Sequence, residues 1–264
     1  MATTATPQLR QRTAFEIIDV SIQVFRRHYA SFVMLVALGA IPSWVVLYAS
    51  GFMTMMSSIS TYNPAVGLPN GAYNLGTFWW FPITSMWAWV VRGAVVAAAS
   101  DAYLTGDLDP ARAIRAGLSK ALPNIGVAIL LGVAMFFGAF ALLVGAIYLY
   151  LRYFAAVPAL MLEDKGVLDS FHRSRDLSEG FKWRILGTLL LTWVIFWVVV
   201  ILLQVVLAAV PMAPLARLLV NAVAQLFVAP LMAIVLVVLY YDQRIRKDGF
   251  DLEVMARDLA PVAG

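Results

Sequence analysis

The stretch that decides the fold runs from Arg184 to Ala209 and reads RILGTLLLTWVIFWVVVILLQVVLAA. After its first residue it contains no charged side chain. A helix needs about 20 consecutive, mostly apolar residues to cross the hydrocarbon core of a bilayer. This stretch is long enough for one crossing, and it therefore predicts a membrane-spanning helix.

Five further stretches have the same character, and they lie at residues 30–56, 77–104, 122–143, 146–162 and 215–241. The third and fourth of the six spans meet at Val144 and Gly145. We expect a hairpin turn there, because the combined stretch is too long for one crossing. The chain has 62% hydrophobic residues, 13% charged residues and a mean hydropathy of +0.84. Soluble domains have about 45–50% apolar and about 25% charged residues, so we predict an all-α integral membrane protein with six transmembrane helices.

Three short segments between the spans combine apolar and charged residues at helical spacing. They cover residues 14–28, 110–121 and 166–180. Thr13 and Glu16 have the form of a capping box, which predicts the start of the first segment. These patterns are typical of amphipathic helices that lie in the membrane interface.

Each short segment precedes two spans, and this order predicts a threefold helix-hairpin repeat. The repeat units would cover residues 13–106, 109–163 and 166–247. Together they would form a single membrane domain at 13–247, between tails at 1–12 and 248–264.

Lysine and arginine residues collect on one side of the predicted bundle, together with the acidic residues. Only Arg217 lies near the opposite side, which carries a charge-free loop at 57–76. Because basic loops remain in the cytoplasm, we expect both termini to be cytoplasmic. The polar residues 1–12 do not have the form of a signal peptide, so we expect no cleavage.

The composition excludes several kinds of site. There is no cysteine, and the two histidines, His28 and His172, lie far apart in the sequence, which argues against disulfides, thiol chemistry and histidine-dependent sites. No common catalytic motif is present. We expect no metal and no cofactor, and we attribute the pI of about 9.4 to contact with anionic lipid rather than nucleic acid.

A few polar residues inside the spans are candidates for substrate or lipid binding. Arg92 lies near the middle of the second span, where an arginine needs an acceptor such as a carboxylate, carbonyls or a bound anion. Arg152 in the fourth span is expected to extend toward the outer interface or to bind a ligand. The remaining candidates are a stripe on the sixth span and two acidic residues near the cytoplasmic ends, namely Arg217, Asn221, Gln225, Asp101 and Asp242.

A second candidate surface consists of Arg173, Arg175 and Lys182, which lie between the fourth and fifth spans. We call these three residues the cytoplasmic basic face. Each basic residue near anionic lipid contributes about 1 kcal/mol of attraction. The basic face is therefore predicted to bind lipid or a protein partner.

Three segments resemble a bacterial membrane family. They are TAFEIIDVSIQVFRRHYASFV at 13–33, LRYFAAVPALMLEDKGVLDSFHRSRDLSEGFKWRILG at 151–187 and PLMAIVLVVLYYDQRIRKDGFDLE at 230–253. The family is usually labelled glycerophosphoryl diester phosphodiesterase membrane domain, and it includes six-helix proteins of bacterial inner membranes. The resemblance implies the membrane module and an inner-membrane location. We expect no phosphodiesterase activity, because that activity belongs to a separate soluble barrel in the fused enzymes.

Three hypotheses for function follow. The first is a non-catalytic membrane protein that organises lipid or a protein partner at the cytoplasmic face. The alternative is a permease-like transporter for a lipid or an anionic small molecule, using Arg92 and the polar stripe of the sixth span. A membrane enzyme is a third hypothesis, and its acidic groups could come only from Asp101, Glu163, Asp164 and Asp242.

Overall fold

The structure is a computed structural model, and it describes residues 10–49, 80–140, 144–210 and 214–252. The predicted loop at 57–76 lies outside the described residues. These residues form helices and no strand. In chain order the helices are α1 (Ala14–Arg27), α2 (Tyr29–Ala49), α3 (Trp80–Leu104), α4 (Pro110–Ser119), α5 (Ala121–Ala139), α6 (Val144–Arg152), α7 (Ala156–Leu162), α8 (Val167–Ser178), α9 (Lys182–Ala209) and α10 (Pro214–Asp248).

Within the described part of the chain, six helical segments are long and apolar enough to cross a membrane. They are α2, α3, α5, α6 with α7, α9, and α10. This confirms the predicted all-α class and the predicted number of spans. The architecture is compatible with a multi-pass membrane protein.

Two of the predicted spans have a different form in the structure. The fourth was expected to be one helix, but it is interrupted between Arg152 and Ala156. Pro158 explains part of this break, because proline lacks the N–H that would bond to the carbonyl of Phe154. The sixth span was expected to end at residue 241, but α10 continues to Asp248, and Pro230 lies inside the helix without ending it.

Helix α3 is the centre of the bundle, and it contacts α2, α4, α5, α7 and α10. Small residues permit this close packing. A Cβ atom on Gly39 would lie 2.9 Å from Val91, and one on Gly117 would lie 2.8 Å from Ala94. In the membrane-spanning part of α3, 61% of the residues are buried, whereas in that of α9 only 11% are buried. Helix α9 is therefore mostly exposed on the outside of the bundle.

Most charged side chains lie where α3 ends at Leu104, α5 begins at Ala121 and α10 ends at Asp248. We call this region the charged end. The predicted capping box of α1 is present there, because Thr13 N donates to Glu16 Oε2 at 2.7 Å and Glu16 N donates to Thr13 Oγ1 at 3.3 Å. The hydrogen bond from the Thr13 N–H, together with Arg10, lowers the pKa of Glu16 to about 2.

Candidate functional site

Asp242 of α10 holds three segments of the chain together at the charged end. Its side chain is 1% exposed. It accepts hydrogen bonds from Arg12 N at 2.8 Å, from Arg184 Nη2 at 3.1 Å and from Arg246 Nε at 2.9 Å. Arg184 also donates to the carbonyl of Arg12. We call this group the Asp242 anchor. Its geometry accounts for Asp242 as a structural residue rather than as a head-group ligand.

Glu163 forms a second anchor where α7 ends. Tyr240 donates its hydroxyl proton to Glu163 Oε1 at 2.6 Å, and Arg173 Nε lies 2.9 Å from both carboxylate oxygens. Arg244 approaches Glu163 at 3.6 Å. Arg173 also pairs with Asp248. Burial by itself lowers the pKa of Arg173, but the hydrogen bonds to Asp248 and Glu163 outweigh it and raise the pKa above its ordinary value.

The cytoplasmic basic face is therefore divided in the structure. Arg173 belongs to this Glu163 anchor, whereas Arg175 and Lys182 form no ion pair with any carboxylate of the described residues. The other two candidate acids are also paired separately, Asp101 with Arg112 at 3.8 Å and Asp164 with Lys120. The hydrogen bond from Lys120 lowers the pKa of Asp164. The described acids do not converge on a common catalytic centre.

A basic pocket of about 340 Å³ lies between α5, α6 and α8. We define the basic pocket by its lining residues, which are Leu130, Ala134, Arg152, Tyr153, Leu168, Phe171, His172 and Arg175. The lining contains two arginines and a histidine but no carboxylate. This combination suits an anionic group, because arginine presents several N–H donors and no acceptor.

Arg152 and Lys182 meet beside the basic pocket. Lys182 Nζ lies 3.5 Å from the hydroxyl of Tyr148 and 4.8 Å above its ring, and Arg152 interacts electrostatically with the same hydroxyl. The Nε atom of Arg152 is buried and has no hydrogen-bond partner among the described residues. The positive charges of both side chains are therefore left without a counter-charge from the described chain.

Arg152 was expected to extend toward the outer interface, but the structure places it against α8. The hydroxyls of Ser174 and Ser178 donate to the carbonyl of Arg152 at 3.1 and 3.3 Å. Ser174 also accepts from the N–H of Ala155 at 3.0 Å. These serines satisfy backbone groups that the break between α6 and α7 exposes, and they hold α8 beside Arg152.

The buried face of α8 is made mostly of serines. It consists of Ser170, Ser174, Leu177 and Ser178. Phe171 is partly buried against the core and also lines the basic pocket. Serines at this spacing were the available signal, since small side chains permit close approach between helices in membranes.

Arg92 lies at the middle of α3 and lines a cavity of about 390 Å³ between α2, α3 and α10. We call this the Arg92 cavity. The side chain is exposed within this open cavity. Its guanidinium lies 4.5 Å above the ring of Trp89, and it forms no ion pair or hydrogen bond within the described residues. An arginine at such a depth costs about 2.5–3.5 kcal/mol on insertion scales, so this cavity needs water or an anion.

The remaining candidates are distributed over separate contacts. Ser85 also lines the Arg92 cavity, whereas Ser100 is bonded to the hydroxyl of Tyr241 at 2.7 Å. Asn221 accepts a hydrogen bond from Gln204 of α9 at 2.5 Å, which joins two spans. Gln225 is exposed, and the side chain of Arg217 lies outside the described residues. Of the described stripe residues, neither Asn221 nor Gln225 lines the Arg92 cavity.

No family model, no curated protein and no solved structure matches this chain. The resemblance to the membrane-domain family therefore stays a prediction. The functional inference rests on the chemistry of the basic pocket and of the Arg92 cavity.

Proposed function

We propose that this protein is a non-catalytic membrane protein that organises anionic lipid at the cytoplasmic face of a bacterial inner membrane. The observation that carries the proposal is the basic pocket, in which Arg152, His172 and Arg175 line one cavity without a carboxylate. Lys182 adds a further positive charge beside it. The two anchors neutralise four arginines of the charged end, namely Arg173, Arg184, Arg244 and Arg246. The cations of the basic pocket line a cavity without a carboxylate, so an external anion would find a favourable site there.

The walls of the basic pocket suit a lipid better than a free anion. Leu130 and Ala134 belong to α5, and Leu168 of α8 is 66% exposed. On the same helix, the large apolar side chains of Val133, Phe136 and Phe137 are exposed. A phosphate head group in the basic pocket would therefore have its acyl chains along an apolar helix face.

The proposed orientation follows from the distribution of basic residues, which favours the charged end as the cytoplasmic end. In this arrangement α1, α4 and α8 are amphipathic helices at the interface, and each begins one of three helix-hairpin units. Their positions before successive pairs of spans support this assignment. A lipid bound between α5, α6 and α8 would then join the second unit to the third.

The test measures binding of phosphatidylglycerol by native mass spectrometry of the full chain. Charge reversal at Arg175 in the basic pocket and at Lys182 beside it, R175E with K182E, is compared with R26E combined with R115E. The control pair changes the net charge equally but lies on exposed positions of α1 and α4. Because Arg175 lines the cavity and Lys182 lies beside it, whereas Arg26 and Arg115 line neither cavity, we expect the pocket variant to lose at least about tenfold in affinity and the control to lose much less. Equal losses in both variants would refute the proposal.

A further inference from the structure

The Arg92 cavity is separate from the basic pocket, and the two share no lining residue. Its walls are mostly small and apolar, and they include Ala40, Ala88 and Ala229. The volume of about 390 Å³ falls within the range of about 300–1,000 Å³ that is usual for small-molecule sites. The lining contains one charged residue, Arg92.

The guanidinium of Arg92 stacks on one aromatic ring and interacts electrostatically with Tyr150 of α6. Trp89 lies beneath it at 4.5 Å, a distance typical of a cation–π contact. A guanidinium has five N–H donors in its plane, and none of those on Arg92 is bonded within the described residues. Ser43, another lining residue, donates its own proton to the carbonyl of Gly39 at 2.8 Å. Arg92 is the one cationic donor among the described lining residues of the cavity.

We propose that the Arg92 cavity binds the oxyanion of an amphiphile, either a carboxylate or a phosphate. Arg92 would take the oxyanion in its plane, and the alanine-rich walls would take the apolar part of the ligand. Such a ligand supplies the counter-charge that an arginine in the middle of a span requires. This site is distinct from the lipid site proposed at the cytoplasmic face. A transporter would need such an anion-binding site in the middle of a span.

The experiment titrates oleate and inorganic phosphate separately into the purified full-length protein and measures binding by native mass spectrometry. Three variants are compared with the wild type. R92Q removes the donor, A229L narrows the cavity at an exposed wall position, and R115Q removes an exposed cation from α4. R92Q also removes a charge from a span, which favours insertion and keeps the folded protein available for measurement.

We expect R92Q to weaken oleate binding by about tenfold or more, because hydrogen bonds to a charged group are lost. A229L should weaken oleate binding while leaving any phosphate binding unchanged, and R115Q should bind as the wild type does. The basic-pocket variant R175E with K182E should retain the Arg92-dependent binding, which separates this site from the proposed function. Oleate binding that is equal in the wild type and R92Q would overturn the proposal. Binding of phosphate but not oleate would overturn its amphiphile part.

Discussion

Arg173 and Arg175 lie two residues apart on α8, yet their surroundings are opposite. Arg173 is bonded to Glu163 and paired with Asp248. Arg175 is exposed, lines the basic pocket and has no carboxylate partner among the described residues. Residue type and position in the sequence are nearly the same for both. The counter-charge therefore separates an arginine that stabilises this fold from one that is available to a ligand.

The same contrast separates the two anchors from the two cavities. The anchors use buried acids to neutralise cations from several segments, and removing one partner there leaves the others desolvated and unpaired. The basic pocket and the Arg92 cavity contain cations that the described chain leaves uncompensated. Substitutions in the anchors should therefore change stability, whereas substitutions in the two cavities should change binding.

The largest effect is expected from D242N. Arg184 and Arg246 would then face a neutral side chain instead of the Asp242 carboxylate, which is 1% exposed. Breaking a buried ion pair from one side costs about 3–5 kcal/mol, and we expect the free energy of unfolding to fall by about 3 kcal/mol. An SDS titration followed by circular dichroism measures this change.

The matched control is D101N, because Asp101 lies 3.8 Å from Arg112, whose side chain is 69% exposed. An exposed pair contributes about 0–1 kcal/mol, so D101N should change stability little. If D242N were as stable as D101N, the Asp242 anchor would not be a stabilising element.

A smaller change in the free energy of unfolding should distinguish R173Q from R175Q. R173Q loses charge-assisted hydrogen bonds that contribute about 1.5–3 kcal/mol each, so the unfolding free energy should fall by about 2 kcal/mol. R175Q should change stability by less than about 0.5 kcal/mol but weaken phosphatidylglycerol binding. The two variants are compared by SDS titration and by native mass spectrometry. Lipid binding that falls for R173Q and not for R175Q would reverse our assignment of the two residues.

The smallest effect concerns the capping box of α1. The hydrogen bond from Thr13 and the nearby Arg10 lower the pKa of Glu16 from 4.5 to about 2. Because the folded-state pKa is depressed, the stabilisation is complete above pH 4.5 and is lost as the pH falls toward 2. We expect E16Q to reduce the helicity of residues 14–17 above pH 4.5, with the difference from the wild type disappearing near pH 2. Carbon chemical shifts in NMR measure it, and a difference that persists unchanged at the lower pH would contradict the assignment.

The fold was largely predictable because long apolar runs such as Arg184–Ala209 leave the chain few alternatives in a membrane. The capping box at Thr13 and Glu16 was predictable for a similar reason, since both partners are close in sequence. The break before Ala156 was not, because it depends on Ser174, which reaches the N–H of Ala155 from another helix. The extension of α10 past Tyr241 likewise depends on partners elsewhere in the chain.

The candidate sites were predictable only as a set of residue types. The sequence indicated that Arg92 needs an acceptor, and the structure adds the open cavity around it. The sequence placed Arg173 and Arg175 in one group, because both are basic and they lie two positions apart. It did not indicate that Arg173 would form an ion pair with Glu163. Tyr240 and Glu163 are separated by 77 positions, and pairings at such distances depend on how the spans pack.

The Asp242 anchor also sets the order in which this protein can be assembled. Arg12 N and Asp242 are separated by 230 positions in the chain. At about 5–20 residues per second, a ribosome needs on the order of ten to fifty seconds to make the intervening segment. Until then the first helix cannot reach its final contacts with α10, and Arg184 has no buried acid to meet. The contact is thus a late closing step, made when the last span arrives beside the first helix.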